Sequence, residues 1–274
     1  MASESSNRID LHTHSRYSDG TLDPAEVVRR ASAHQVKVMA LTDHDSISGF
    51  EQARMEGEKL GFRVLCGIEI NTCEGDLLHV LGYGIRPDSA ALKTRLEEFR
   101  DRRHKRLYAI LERLRQHSVD ISWEDVRQVS QQTLGRPHVA DAMVKKGIVH
   151  SRKEAFDRYL TRGKPGYVEP MGPTAQEAIA TIREAGGWAS LAHPGAINDE
   201  TSLKRLVEFG LEGLEVYYPA HTQATIAKLL MLAGTYRLMP TVGSDFHGPK
   251  TGREAIGCME IGPQLYERLM ERLS

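Results

Sequence analysis

The chain has few cysteines, no long apolar run and no dominant charge sign, and each shortage excludes a class of protein. Its three cysteines, Cys66, Cys73 and Cys258, are odd in number and show neither CxxC nor zinc-finger spacing. They predict no disulfide framework, and a reducing cytoplasm is the expected setting. No apolar run approaches the roughly 18–20 residues needed to span a bilayer. The polar start, MASESSNRID, lacks the apolar core of a secretory leader. With 36 Lys+Arg against 37 Asp+Glu, the net charge of −1 excludes a chain built as a whole to coat nucleic acid or an anionic membrane. Common cofactor motifs are missing as well: there is no GxGxxG after a strand and no HExxH. The stretch Gly243-Ser-Asp-Phe-His-Gly248-Pro-Lys250-Thr251 would be a P-loop only if Lys followed Gly248 directly, and Pro249 breaks that spacing.

What remains is an ordinary globular composition, 40% hydrophobic and 27% charged over 274 residues, suited to one large α/β domain or a domain with an insertion. Short apolar runs at 8–12, 36–42, 63–69, 77–83, 188–192, 213–217 and 239–243 read as strands. They alternate with amphipathic helical stretches at 24–34, 46–60, 174–185, 202–209 and 220–234. Near-continuous runs such as Val36-Lys-Val-Met-Ala-Leu-Thr42 suit a parallel sheet buried on both faces, in a (β/α) barrel or an open doubly wound sheet. The alternation breaks between about 98 and 165, where helix follows helix: 92–117, 122–131, 137–146 and 151–160. Residues 98–165 hold 16 Lys/Arg and 9 Asp/Glu, so a basic helical insertion at +7 sits in a remainder at −8.

The twelve histidines are the unusual feature of the composition, and their positions matter more than their number. His12 and His14, two apart in a strand, point to one side and can bind one ion together, with Asp19 close behind. His44 directly follows a buried strand, where barrels and open α/β sheets place active sites; neighbouring Asp45 and Ser46 read as helix caps. Glu69 ends another apolar strand, where a carboxylate is costly unless paired or metal-bound. His79 lies within the 77–83 run, as a core histidine or a ligand. His193 closes the strand at 188–192, and Asp245 and His247 share one side of the chain past 239–243. With His221, seven of the twelve histidines fall at or near strand ends. Nine His and carboxylate candidates exceed what one four-coordinate ion uses, so two or three divalent ions are implied. Imidazole and carboxylate without thiolate suits zinc, manganese or iron rather than a closed structural zinc site.

The motifs Asp-Leu-His12-Thr-His14-Ser-x-x-Ser-Asp19-Gly, Leu-Thr-Asp-His44-Asp, Gly-Ile-Glu69, His79, Ala-His193-Pro and Gly-Ser-Asp245-x-His247 resemble those of the PHP (polymerase and histidinol phosphatase) domain superfamily in order and spacing. The resemblance runs from residue 8 to 247. It implies a distorted seven-stranded (β/α) barrel with an inserted all-helical cap: barrel at 1–97, cap at 98–165 and barrel again at 166–274. By resemblance, His12, His14, Glu69 and Asp245 bind one ion. Glu69 bridges to a second held by His79 and His193, and Asp19, His44 and His247 hold a third. Manganese is the first choice of metal. In the insertion, Gly135-Arg136-Pro-His138-Val-Ala and Ala155-Phe-Asp-Arg158-Tyr-Leu-x-Arg162-Gly-Lys164-Pro resemble the stand-alone branch. That branch includes 3′,5′-nucleotide bisphosphate phosphatases and enzymes that trim RNA from the 5′ end.

Residues and resemblance both lead to metal-assisted phosphoester hydrolysis, with Glu69 and Asp245 central. Arg136, Arg162 and Lys164 are the candidates for a second phosphate site, because guanidinium binds phosphate bidentately and Lys binds it as a point charge. His138 stands beside Arg136 as a further substrate contact, and His221 is a candidate for protonating the leaving group. The expected substrate is a small phosphorylated molecule, a nucleoside 3′,5′-bisphosphate or the 5′ end of short RNA, with no membrane and no obligatory protein partner. The alternatives are a histidinol phosphate or other small phosphomonoester, and a metal-stabilised module that binds nucleotides or a polymerase without turnover. Hydrolysis of C–N bonds ranks below these, since no lysine follows a strand where a bridging carbamate would stand.

Overall fold

Val38, Met39, Ala40 and Leu41 are buried at every position, as a strand covered on both faces requires. In the computed structural model, which describes residues 8–75, 78–130, 133–196 and 200–274, they form one of seven strands. These are β1 (Ile9–Thr13), β2 (Val38–Leu41), β3 (Arg63–Asn71), β4 (His79–Tyr83), β5 (Trp188–Leu191), β6 (Gly213–Tyr217) and β7 (Met239–Val242). They make one sheet in sequence order. β1 to β3 are parallel, β4 is antiparallel to both β3 and β5, and β5 to β7 are parallel again. The chain beyond β7 returns to β1: Thr13 bridges Phe246, and the His14 N–H donates to the Phe246 carbonyl at 2.8 Å. The sheet therefore curls into a nearly closed, distorted (β/α)7 barrel. Leu77, the first residue expected of the fourth strand, lies outside the described residues.

The helices are α1 (Pro24–Ala33), α2 (Phe50–Leu60), α3 (Ala90–Gln116), α4 (Trp123–Arg127), α5 (Arg136–Lys145), α6 (Arg152–Ala155), α7 (Ala175–Glu184), α8 (Glu200–Glu208), α9 (Gln223–Tyr236) and α10 (Pro263–Arg272). α2 begins later than the pattern from Ser46 suggests. The preceding residues instead form a turn in which Asp45 adopts φ 48° and donates its N–H to the Glu69 carbonyl at 3.0 Å. α10 was not expected from the pattern, although Pro263 stands at its start, where the missing N–H costs nothing. No described helix is long and apolar enough to cross a membrane.

α3 serves two cores. Leu92, Leu96 and Phe99 pack with Ile179 and Ile182 of α7 in the barrel-side core. Leu107, Ile110, Leu111 and Leu114 pack with Val126, Val139, Met143 and Leu160 in a separate cap core. Ser122 and Asp125 form a reciprocal capping box at the start of α4, and the Ser151 hydroxyl accepts the Glu154 N–H at 3.1 Å at the start of α6. α4 is shorter than expected, and Gln131, its expected last residue, lies outside the described residues. A single π-helical turn, Phe156–Leu160, follows α6 directly where one continuous helix was expected.

Candidate metal centre

The strand directions decide which residues meet. His12 and His14 lie at the C-terminal end of β1, His44 follows β2, Glu69 lies near the end of β3, and His193, Asp245 and His247 follow β5 and β7. His79 begins its strand, but β4 is reversed and His79 pairs with Asn71 at the end of β3. Reversal thus delivers His79 to the same rim as the others.

Glu69 is 1% exposed and divides the cluster between its two oxygens. Oε1 lies 2.8 Å from His79 Nδ1 and 3.1 Å from His193 Nε2. Oε2 lies 3.3 Å from His12 Nε2, 3.1 Å from His14 Nε2 and 3.0 Å from His44 Nδ1. Asp245 Oδ1 stands 3.4 Å from both His12 Nε2 and His14 Nε2. Asp19 Oδ1 lies 3.0 Å from His247 Nε2 and 3.7 Å from His44 Nε2. Among the described residues, three groups could each hold an ion: His12, His14, Glu69 and Asp245; His44, Glu69 and His79; and His14, Asp19, His44 and His247. All nine ligand candidates of the sequence therefore converge, with His193 completing the side of Glu69 that faces His79.

The donor set fits divalent cations on an independent ground. Among the described residues, His12 Nε2, His14 Nε2, Asp19 Oδ1, His44 Nδ1, Glu69 Oε2, Asp245 Oδ1 and His247 Nε2 are buried without a hydrogen-bond partner. Buried polar atoms are almost always partnered, so seven facing one another mark a place for ions. The electrostatics agree. Burial alone would lower both imidazoles, but Glu215, Glu69 and Asp245 hold His12 well above its ordinary value, and Asp245 and Glu69 raise His14 to about 9. Burial would raise the carboxylates. Instead the surrounding histidines hold Glu69 and Asp19 well below their ordinary range, and Arg253 does the same for Asp245. For His44 and His79 burial prevails and both are lowered. The field at the centre favours positive charge.

Several supporting residues were not singled out as site residues in the sequence. Asp43 accepts the Ser15 N–H at 2.7 Å and the Ser18 hydroxyl at 2.6 Å, fixing the loop that carries Asp19. Asp10 accepts the Ser244 N–H at 2.9 Å and ties β1 to the loop after β7. Arg253 and the Tyr218 hydroxyl reach Asp245 Oδ2 at 2.7 and 3.1 Å. From α3, Arg103 pairs with Asp45 Oδ2 at 2.7 Å and with Asn71, whose side-chain amide lies 2.7 Å from His79 Nε2. Asp10 and Asp43 stand inside the recognised motifs but had no role assigned to them, and Arg253 stands in a loop beyond those motifs.

A cavity of about 900 Å³ opens on the cluster. Asp19, His44, Glu69, His79 and His193 line one part of it, and Arg136, Phe156, Arg162 and Tyr167 another. The Arg136 guanidinium lies 5.7 Å from the Phe156 ring centroid, and that of Arg162 lies 5.5 Å from Tyr167. Arg162 also pairs with Glu169 at 2.7 Å. Lys164 is exposed and is not among the lining residues.

Two histidines depart from their expected roles. His138 accepts the Gly135 N–H on Nδ1 at 3.0 Å and donates from Nε2 to the Ser18 carbonyl at 2.9 Å, leaving neither nitrogen for a substrate. It joins the cap to the loop beside Asp19, and burial lowers its pKa. His221 donates from Nδ1 to the Val216 carbonyl at 2.9 Å and packs its other edge against Gly195, outside the cavity lining. Its Nε2 is buried without a hydrogen-bond partner among the described residues.

The profile of the PHP domain matches residues 10–159. The chain is 34% identical to a 3′,5′-nucleoside bisphosphate phosphatase of Chromobacterium violaceum, over 97% of this chain and 96% of that one. It is 33% identical to a 5′-3′ exoribonuclease of Haemophilus influenzae, over 94% of each. Its fold is similar to the solved structure of an amidohydrolase from Chromobacterium violaceum with bound sulfate and no metal, at a TM-score of 0.86 and 32% identity, covering 97% of this chain and 96% of that one. With a matched profile over more than half its length, full-length relatives and a converged set of His and carboxylate ligands, the chain belongs to the PHP domain family and is a metal-dependent phosphoesterase.

Proposed function

We propose that the chain removes a phosphate from nucleoside 3′,5′-bisphosphates and acts also on the 5′ end of short RNA. The observation that carries this reading is a cavity that joins the ligand cluster to arginines of the cap, which suits a substrate with two phosphates. The likeness to a nucleoside bisphosphate phosphatase and an exoribonuclease supports it.

His12, His14, Glu69 and Asp245 would hold one ion. Glu69 with His79 and His193 would hold a second, and Asp19, His44 and His247 a third, with manganese as the native metal. Divalent ions there would lower the pKa of water from about 16 to near 7 and neutralise charge on phosphoryl oxygens. Arg253 and Tyr218 keep Asp245 aimed at the cluster. Arg136 and Arg162 would bind the distal phosphate, their planes set by Phe156 and Tyr167, and the phosphate would take over the Arg162 fork from exposed Glu169. Lys164 would add long-range attraction at the mouth rather than a contact.

Phosphate release from a nucleoside 3′,5′-bisphosphate is expected to exceed that from the matching monophosphate and from histidinol phosphate. Equal or better turnover of histidinol phosphate would replace this reading with that of a small phosphomonoesterase. The double substitution Arg136→Ala and Arg162→Ala is expected to lower kcat/KM on the bisphosphate roughly 10–100-fold, the loss of charge-assisted hydrogen bonds. Monophosphate turnover should hardly change. An equal loss on both substrates would place these arginines outside substrate recognition.

A further inference from the structure

Glu215 lies in β6, wholly buried, and is not among the residues that line the cavity. Both of its oxygens are committed. Oε1 accepts from His12 Nδ1 at 3.0 Å, which leaves His12 Nε2 facing Glu69 and Asp245. Oε2 accepts the backbone N–H of His193 at 2.6 Å. His193 has φ 32°, in the left-handed region that a non-glycine residue rarely adopts. The bond to Glu215 holds that turn and sets the ring whose Nε2 meets Glu69 Oε1 at 3.1 Å. Gly243 makes the approach possible: a Cβ there would lie 2.3 Å from His12 Cβ and 2.5 Å from Glu215 Oε1.

The two partners of this carboxylate belong to different ion positions, His12 to that of Asp245 and His193 to that of His79. We propose that Glu215 is a positioning residue that couples the two, fixing the ring at one and the backbone at the other, so that its loss weakens both together. This inference rests on the ion assignments proposed above. Partners of this kind orient the ligands they touch, and their removal typically costs 10–100-fold in metal affinity.

The test is Mn²⁺ binding by equilibrium dialysis of the full chain, with bound ions counted by mass spectrometry. Glu215→Ala is expected to weaken two positions about 10–100-fold each, whereas His193→Ala weakens only its own. A purely structural role would instead lower the melting temperature in chelator and leave the Mn²⁺ isotherm of the folded protein unchanged. Should Glu215→Ala not fold, Glu215→Gln carries the test. Its single acceptor serves either His12 or His193, so one position weakens; an unchanged isotherm overturns the proposal. Weakening of one position alone by Glu215→Ala overturns the coupling. Wild-type protein that binds no Mn²⁺ overturns the metal assignments and the coupling with them.

Discussion

Glu69→Gln is expected to abolish turnover, with a fall in kcat of at least about 10³-fold. Loss of a residue that merely orients a ligand costs up to about 100-fold in affinity, and Glu69 faces five histidines directly. Its two oxygens serve separate groups, His79 and His193 on one side and His12, His14 and His44 on the other. Glutamine offers one oxygen, and its amide N–H₂ would point at ligand nitrogens that need an acceptor for positive charge. One group or the other therefore loses its anion. The measurement is phosphate release under saturating substrate with Mn²⁺ present. Activity within tenfold of wild type would remove Glu69 from the bridging role.

The strands and the site were legible in the sequence for the same reason. A parallel strand buried on both faces reads as a continuous apolar run, and polar residues at its end stand out against it. His44 after Leu41 and Asp245 after Val242 show this most plainly. The seven strands fall within two residues of their expected ends. The reversal of β4 was not legible, because an apolar run carries no direction, although that reversal brings His79 to the rim. Glu215 was hidden inside a strand, where one carboxylate looks like an outward-facing residue. Its partners, His12 and the His193 backbone, are remote in sequence. His138 differs in the other direction: it is chemically plausible in sequence, yet backbone groups take both of its ring nitrogens, whereas His221 bonds through Nδ1 alone and lies outside the cavity lining. The basic insertion is plain in the uneven charge of the sequence, yet only the fold shows Arg136 and Arg162 lining the cavity and Lys164 outside it.

Removal of divalent ions is the second change with a large expected effect. Seven buried polar atoms facing one another without hydrogen-bond partners leave a catalytic centre that lacks its positive charge once it is stripped. Charge stabilisation of several kcal/mol corresponds to a loss of roughly 10³-fold or more in rate. The most direct measurement is phosphate release from a nucleoside 3′,5′-bisphosphate by chelated protein, before and after Mn²⁺, Zn²⁺ or Mg²⁺ is restored. The expected result is no turnover after chelation and recovery with Mn²⁺. Full turnover by protein shown to carry no metal would contradict a metal-dependent centre. Metal bound stoichiometrically without turnover of any phosphate ester would contradict an enzyme and leave a binding module in its place.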